Sequence, residues 1–93
     1  MMSIQKAIMM DERDNVATLL ADVDKNDVVH VRMGEGALEV RAGSRIEFGH
    51  KVAVRKIQKG DNIVKYGEIM GRATQDIEEG EHVHVHNVVS LRA

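Results

Sequence analysis

Three histidines recur at every second position in the run His82-Val83-His84-Val85-His86. Imidazole is the side chain whose ordinary pKa lies nearest neutrality, so at pH 7 it can ligate a divalent cation or carry a proton. On an extended strand successive side chains point to opposite faces. The alternation therefore predicts three imidazoles on one face, with Val83 and Val85 on the other and available to a core. Neighbouring histidines in this pattern stand about 6–7 Å apart at Cα, close enough for two to share one ion. The outer pair, His82 and His86, stands about 13 Å apart, so placing all three on one ion requires a bend or bulge. The competing reading of the same face is a solvated sheet surface.

The elements that must position this run are short. Glu78-Glu79-Gly80-Glu81 is a turn that leads into it, and the pattern recurs. Ile57-Gln58-Lys59-Gly60-Asp61 leads into Asn62–Lys65, and Val23-Asp24-Lys25-Asn26-Asp27 leads into Val28–Val31. Each copy reads aliphatic, two variable residues, glycine or asparagine, acid, then strand. Asparagine tolerates positive φ better than other non-glycine residues, so the shared requirement is a tight turn with one left-handed residue. Further strands are expected at Ile4–Met10, with Met9 and Met10 as core fillers, and at Val28–Met33, Ala37–Arg41, Val52–Arg55 and Asn62–Tyr66. Asp11–Asn15 reads as a charged turn, and Gly34-Glu35-Gly36 as a hairpin connection. Val16–Leu20 is too short for periodicity to separate a strand from a helical turn. Gly71 inside Glu68–Thr74 marks a bulge or a close backbone approach. Repeated turn-then-strand units without an amphipathic helix predict a compact all-β domain.

Composition bounds the rest. Ninety-three residues make one small domain with a thin core of Val, Ile, Leu, Met and Ala. Small domains of this kind gain stability from a partner. The absence of cysteine excludes disulfides and thiolate-held metals from this chain and fits a cytoplasmic protein. The first residues show no signal-peptide pattern, and no run approaches the roughly 18 apolar residues of a membrane helix. Net charge is −2 with both signs mixed, and Phe48 and Tyr66 are the only aromatics. Neither a basic stripe nor a stacking platform for nucleic acid is present.

The block from Gly49 to Asn87 resembles the SAF domain of the altronate/galactarate dehydratase family. The resemblance is carried by Gly49-His50-Lys51-Val52-Ala53, by Gly60-Asp61 leading to Ile63-Val64-Lys65-Tyr66-Gly67, by Ile69, Gly71, Ala73 and Thr74, and by Gly80-Glu81-His82-Val83-His84 with His86-Asn87. Asp14-Asn15-Val16-Ala17 is similar to the family's N-terminal pattern. The resemblance implies a β-clip fold spanning residues 1–93 and a hydro-lyase that removes water from a sugar acid with Fe²⁺ or Mn²⁺. In some members this domain is the N-terminal part of a long polypeptide and in others a separate small chain; as a stand-alone small subunit or an excised domain it implies a large catalytic dehydratase subunit as partner and little or no activity alone. The surface meant for that partner lets an isolated chain self-associate.

Within that family reading, His82, His84 and His86 are the metal candidates, and His50 and His84 the catalytic ones. Lys65, Arg72 and Asn87 are the candidates for binding substrate, Arg72 through its bidentate fork, with closure of the strand as the other reading of Asn87. Lys51 reads more simply as an exposed lysine, and His30 lies outside the matching block. Asp61 and Glu81, following the turn glycines, are expected to accept turn N–H groups rather than to act in catalysis. Two other functions fit the same residues: the small subunit of sulfolactate sulfo-lyase, and a non-catalytic module that caps or regulates the large subunit.

Overall fold

A computed structural model of the chain describes residues 5–34 and 36–91. Among them there are nine strands and no helix: β1 (Gln5–Met9), β2 (Val16–Leu19), β3 (Val28–Met33), β4 (Gly36–Arg41), β5 (Lys51–Ala53), β6 (Asn62–Lys65), β7 (Glu68–Ala73), β8 (His82–Val83) and β9 (Val88–Ser90). The all-β expectation holds. Ile4 and Glu35, placed by sequence in the first strand and the hairpin turn, lie outside the described residues.

One sheet runs β4-β3-β1-β2-β5-β8 and the other β6-β7-β9. Only β1 and β3 pair in parallel; the remaining pairs are antiparallel. β2 resolves the ambiguous Val16–Leu20 run as a strand. Its continuous apolar character follows from burial on both faces. Ala17 and Leu19 enter one core with Ala7, Met9, Val31 and Val52, while Val16 enters a second core with Ala53, Val83, Ile63 and Ala73. The second core glues the two sheets together. Met9 is a core filler as expected, but Met10 is 66% exposed. β1 ends at Met9, and Met10 opens the turn that follows.

The turn repeat is structural, and it has four copies rather than three. The fourth is Ile46-Glu47-Phe48-Gly49-His50. The left-handed residues are Asn26, Gly49, Gly60 and Gly80, with φ of 76°, 87°, 93° and 88°. Each turn launches a strand: β3, β5, β6 and β8 in order. Each also docks on one facing residue by a reciprocal pair of backbone bonds. The turn at Asn26-Asp27 takes Ala42, Gly49-His50 takes Leu19, Gly60-Asp61 takes Ala73 and Gly80-Glu81 takes Ala53. The leading aliphatics, Val23, Ile46, Ile57 and Ile77, are buried and bridge pairwise, Val23 to Ile46 and Ile57 to Ile77. Burying such a side chain contributes about 1.5–3 kcal/mol, so the four aliphatics anchor the turns from inside.

The charged turn after β1 carries a buried device that composition hid. Asp14 is fully buried, and its carboxylate accepts the N–H groups of Met10, Asp11 and Gly67. Asn15 reaches the same neighbouring sheet, accepting the Val64 N–H and donating to the Asn62 carbonyl, both at 2.8 Å. Gly71 meets both of its sequence readings. The β6–β7 register slips beside it, and a Cβ there would press on the Val89 carbonyl oxygen of β9.

Candidate functional site

The histidine run does not continue as a strand. β8 stops at Val83, and residues 84–87 form a turn. Val85, expected in the core, instead sits at the turn with 81% of its surface exposed. The cause is Asn87. It is fully buried, its side-chain oxygen accepts the His84 N–H at 2.9 Å, and its side-chain amide donates to the His82 carbonyl at 2.9 Å. A backbone bond from Asn87 to the His84 carbonyl completes the closure. Both ends of the Asn87 carboxamide are thus spent on the turn, which is the closing role that the sequence offered beside substrate contact.

This is the bend that the spacing argument required. It brings the His86 ring to 5.3 Å from that of His82, centroid to centroid, and the His84 ring stacks on His82 at 5.4 Å. A fourth imidazole joins from another element. β5 and β8 pair with Lys51 opposite Val83 and Val52 opposite His82. Extending that register by one residue sets His50 against His84. The observed ring separations are 4.5 Å from His50 to His84 and 5.0 Å to His82, and Nδ1 of His50 lies 2.9 Å from Nε2 of His82.

Ligand nitrogens of His50, His82 and His84 all lie within 4.8 Å of one another. Two nitrogens bound side by side to one ion stand about 3 Å apart, given metal–nitrogen bonds of roughly 2.1 Å. The His50–His82 contact matches that spacing. Burial, with the charges of His50 and His86 adding to it, lowers the pKa of His82. Burial, with His50 and Lys51 adding to it, lowers that of His84. Both rings therefore favour the neutral, ligating form, and imidazole donors suit Fe²⁺, whereas Mn²⁺ favours oxygen ligands that a substrate or water would add. Against the trio expected from the sequence, His50 takes the third place in the converging set, and His86 stays outside it, with its ring beside that of His82.

His84 also lines a cavity of about 250 Å³ together with Lys51, Ile63, Met70, Val85, Val88 and Ser90. The walls are mainly aliphatic. Lys51, read from sequence as merely exposed, is half-buried there. Lys65 is held with its ammonium 5.0 Å from the Tyr66 ring centroid. Arg72 is exposed on β7, opposite Asn62 and Val89, and does not line the cavity. His30, on β3, pairs with Glu39 at 3.3 Å and is separated from β5 by β1 and β2. Asp61 and Glu81 cap their turns as expected, accepting the N–H groups of Gln58 and Glu78.

Sequence reasoning placed His82, His84 and His86 together but left His50 on motif alone. The available signal was the fourth turn: Ile46-Glu47-Phe48-Gly49 has the repeat's spacing, with His50 in the place of the acid.

Comparison with known proteins gives the family. The altronate/galactarate dehydratase SAF domain matches residues 5–91. An altronate dehydratase of Bacillus subtilis is 40% identical over 80 residues, covering 86% of this chain and 15% of that protein. A (2R)-sulfolactate sulfo-lyase subunit alpha of Chromohalobacter salexigens is 42% identical over 55 residues, covering 59% of this chain and 58% of its own length. An altronate dehydratase of Escherichia coli is 42% identical over 74 residues, covering 80% of this chain and 14% of its own. The chain thus spans a small fraction of the dehydratases and little over half of the sulfo-lyase subunit. Among the described residues no helix is long and apolar enough to cross a membrane.

Proposed function

The chain belongs to the altronate/galactarate dehydratase SAF-domain family, and from that premise we propose that it is the histidine-bearing small subunit of a cytoplasmic, metal-dependent hydro-lyase acting on a sugar acid. The observation that carries this reading is the convergence of His50, His82 and His84, drawn from two separate elements onto one point. His50, His82 and His84 would hold Fe²⁺ or Mn²⁺, with His86 beside them. The ion would polarise the substrate's carboxylate or departing hydroxyl oxygen.

The chain's own residues do the rest. Asn87 fixes the turn that presents His84 and His86. Aliphatic side chains form most of the wall of the cavity beside His84. An imidazole not engaged by the metal can take or return a proton at the ring nitrogen. Lys65 and Arg72 are the cations available to a substrate carboxylate. Half-exposed imidazoles leave the site open on one side, which a large catalytic partner would close.

The relatives divide between altronate dehydratase and sulfolactate sulfo-lyase at nearly equal identity, so substrate choice belongs to the assay. The chain is combined with its large partner and tested for Mn²⁺- or Fe²⁺-dependent turnover of altronate, galactarate and sulfolactate. The expected result is turnover of one substrate, abolished by His50→Ala with His84→Ala while the complex stays intact. Undiminished turnover in that double variant would leave this chain as a capping or regulatory module and put the chemistry in the partner.

A further inference from the structure

We propose that Lys51 and Lys65 form a cationic clamp that receives the carboxylate of a 2-hydroxy acid at the apolar-walled cavity beside His84. The ligand class rests on the hydro-lyase reading above; the clamp itself stands on four observations. First, Lys51 and His84 line the same cavity, whose other walls are Ile63, Met70, Val85 and Val88 with Ser90. An ammonium against aliphatic walls is costly unless an anion joins it, and the low local dielectric strengthens that pairing. Second, neither Lys51 nor Lys65 takes part in any ion pair formed among the described residues. Lys65 does not itself line the cavity; a chain of contacts through Tyr66 and Thr18 ties it to Lys51.

Third, Lys65 is aimed rather than loose. Its ammonium rests over the Tyr66 ring, and the Tyr66 hydroxyl donates to Thr18 Oγ1 at 3.3 Å. Thr18 sits directly across from Lys51 in the β2–β5 register. One chain of contacts therefore runs from Lys65 through Tyr66 and Thr18 to the strand position of Lys51. Fourth, Tyr66 accepts strain to do this. It has φ of 54° beside Gly67 at 78°, in a two-residue turn between β6 and β7 whose positions favour Asn and Gly. A tyrosine in the left-handed region is uncommon, and such residues are retained where their surroundings hold them for a purpose. The cavity, at about 250 Å³, is below the roughly 300–1,000 Å³ of sites that enclose a whole drug-sized ligand. It therefore takes the acid end of the substrate, and the remainder projects outward.

The test is an NMR titration of the metal-free 93-residue chain with glycolate, the smallest 2-hydroxy acid. Readouts are the Lys51 and Lys65 Cε–H and His84 ring resonances, with sodium chloride at matched ionic strength as the control. The expected result is a saturable shift of all three. Affinity falls about tenfold in Lys51→Met, which removes a charge-assisted contact and keeps the aliphatic stem. It falls less in Lys65→Met and returns in Lys51→Arg. Mn²⁺ binding, followed by paramagnetic broadening of the histidine signals, stays as in wild type in Lys51→Met. A shift that does not saturate, that chloride reproduces, or that Lys51→Met leaves unchanged overturns the clamp. Loss of Mn²⁺ binding in wild type with the glycolate response intact would remove the metal site alone.

Discussion

Three of the four turns carry an acid after the left-handed residue, and one carries His50. In the three, the side chain folds back on its own turn: Asp27 accepts the Asp24 N–H, Asp61 that of Gln58 and Glu81 that of Glu78. In the fourth, the backbone closes identically, with the His50 N–H donating to the Glu47 carbonyl at 3.0 Å, but the imidazole turns away to His82. The match extends to the surroundings. Asp22 accepts the Phe48 N–H as Asp76 accepts that of Lys59, and Arg45 pairs with Asp24 as Lys56 pairs with Glu78. The turn at His50 is thus a structural copy from which the capping group has been released. The difference teaches that the same backbone turn can either cap itself or lend its side chain to a neighbouring cluster, with no change in its closing bond.

The largest effect that separates these turns comes from Gly80. A Cβ there would collide with the Arg41 carbonyl oxygen, whereas at Gly60 nothing lies within 4 Å. Both residues are left-handed, which alone costs a non-glycine residue about 1–2 kcal/mol. Gly80→Ala is therefore expected to cost about 3 kcal/mol or more, and Gly60→Ala about 1 kcal/mol, in urea denaturation. Equal losses would show that the crowding at Gly80 relaxes without cost.

Next is the exchange itself. His50→Asp should restore the cap to the fourth turn and break the cluster. Mn²⁺ affinity is expected to fall about a hundredfold, a typical scale for losing one ligand's worth of binding, while the melting temperature holds or rises. A variant that melts lower would mean His50 supports the turn in some other way. The reverse change, Asp61→Ala, removes a cap and leaves the Gln58 N–H to water. Because that site is exposed, the cost is about 1 kcal/mol, with Mn²⁺ binding unchanged.

The smallest effect is on pH. The pKa values of His82 and His84 are lowered in the fold, so the unfolded chain takes up protons at these sites first as pH falls. Their contribution to stability is complete above the ordinary histidine value of about 6.5 and is lost as pH drops through the lowered folded values. The metal-free chain should therefore melt progressively lower as pH falls below about 6.5, and His82→Ala with His84→Ala should flatten that slope. The same slope in both proteins would place the titration elsewhere.

Where local chemistry decides structure, the sequence was readable. Asn26 announced its left-handed conformation through residue type, and the acids after the turn residues announced their caps. Gly71 announced the slipped register. Where a distant partner decides, the sequence was silent. The run from His82 to His86 alternates like a strand, and only the carboxamide of Asn87, buried by tertiary packing, stops it at Val83. The same packing determines that Val83 is core and Val85 is surface. His50 joins the cluster through the β5–β8 register, which no local pattern encodes. Asp14 looked like one more charge in a polar turn because its three N–H partners include Gly67, which lies 53 positions away.

The Asp14-Asn15 pair has a consequence for how this domain folds. Its side-chain bonds to Asn62, Val64 and Gly67 close loops of 47, 49 and 53 positions, and loop closure of that kind is an entropic toll met before the contacts form. The small sheet should therefore gain its protection late, and together with β2 rather than alone. In native-state hydrogen exchange the Val64 amide, which ends on the Asn15 side chain, is expected to open only with global unfolding. The two sheets then behave as one cooperative unit, and the imidazole cluster at their junction keeps its shape until the whole domain melts.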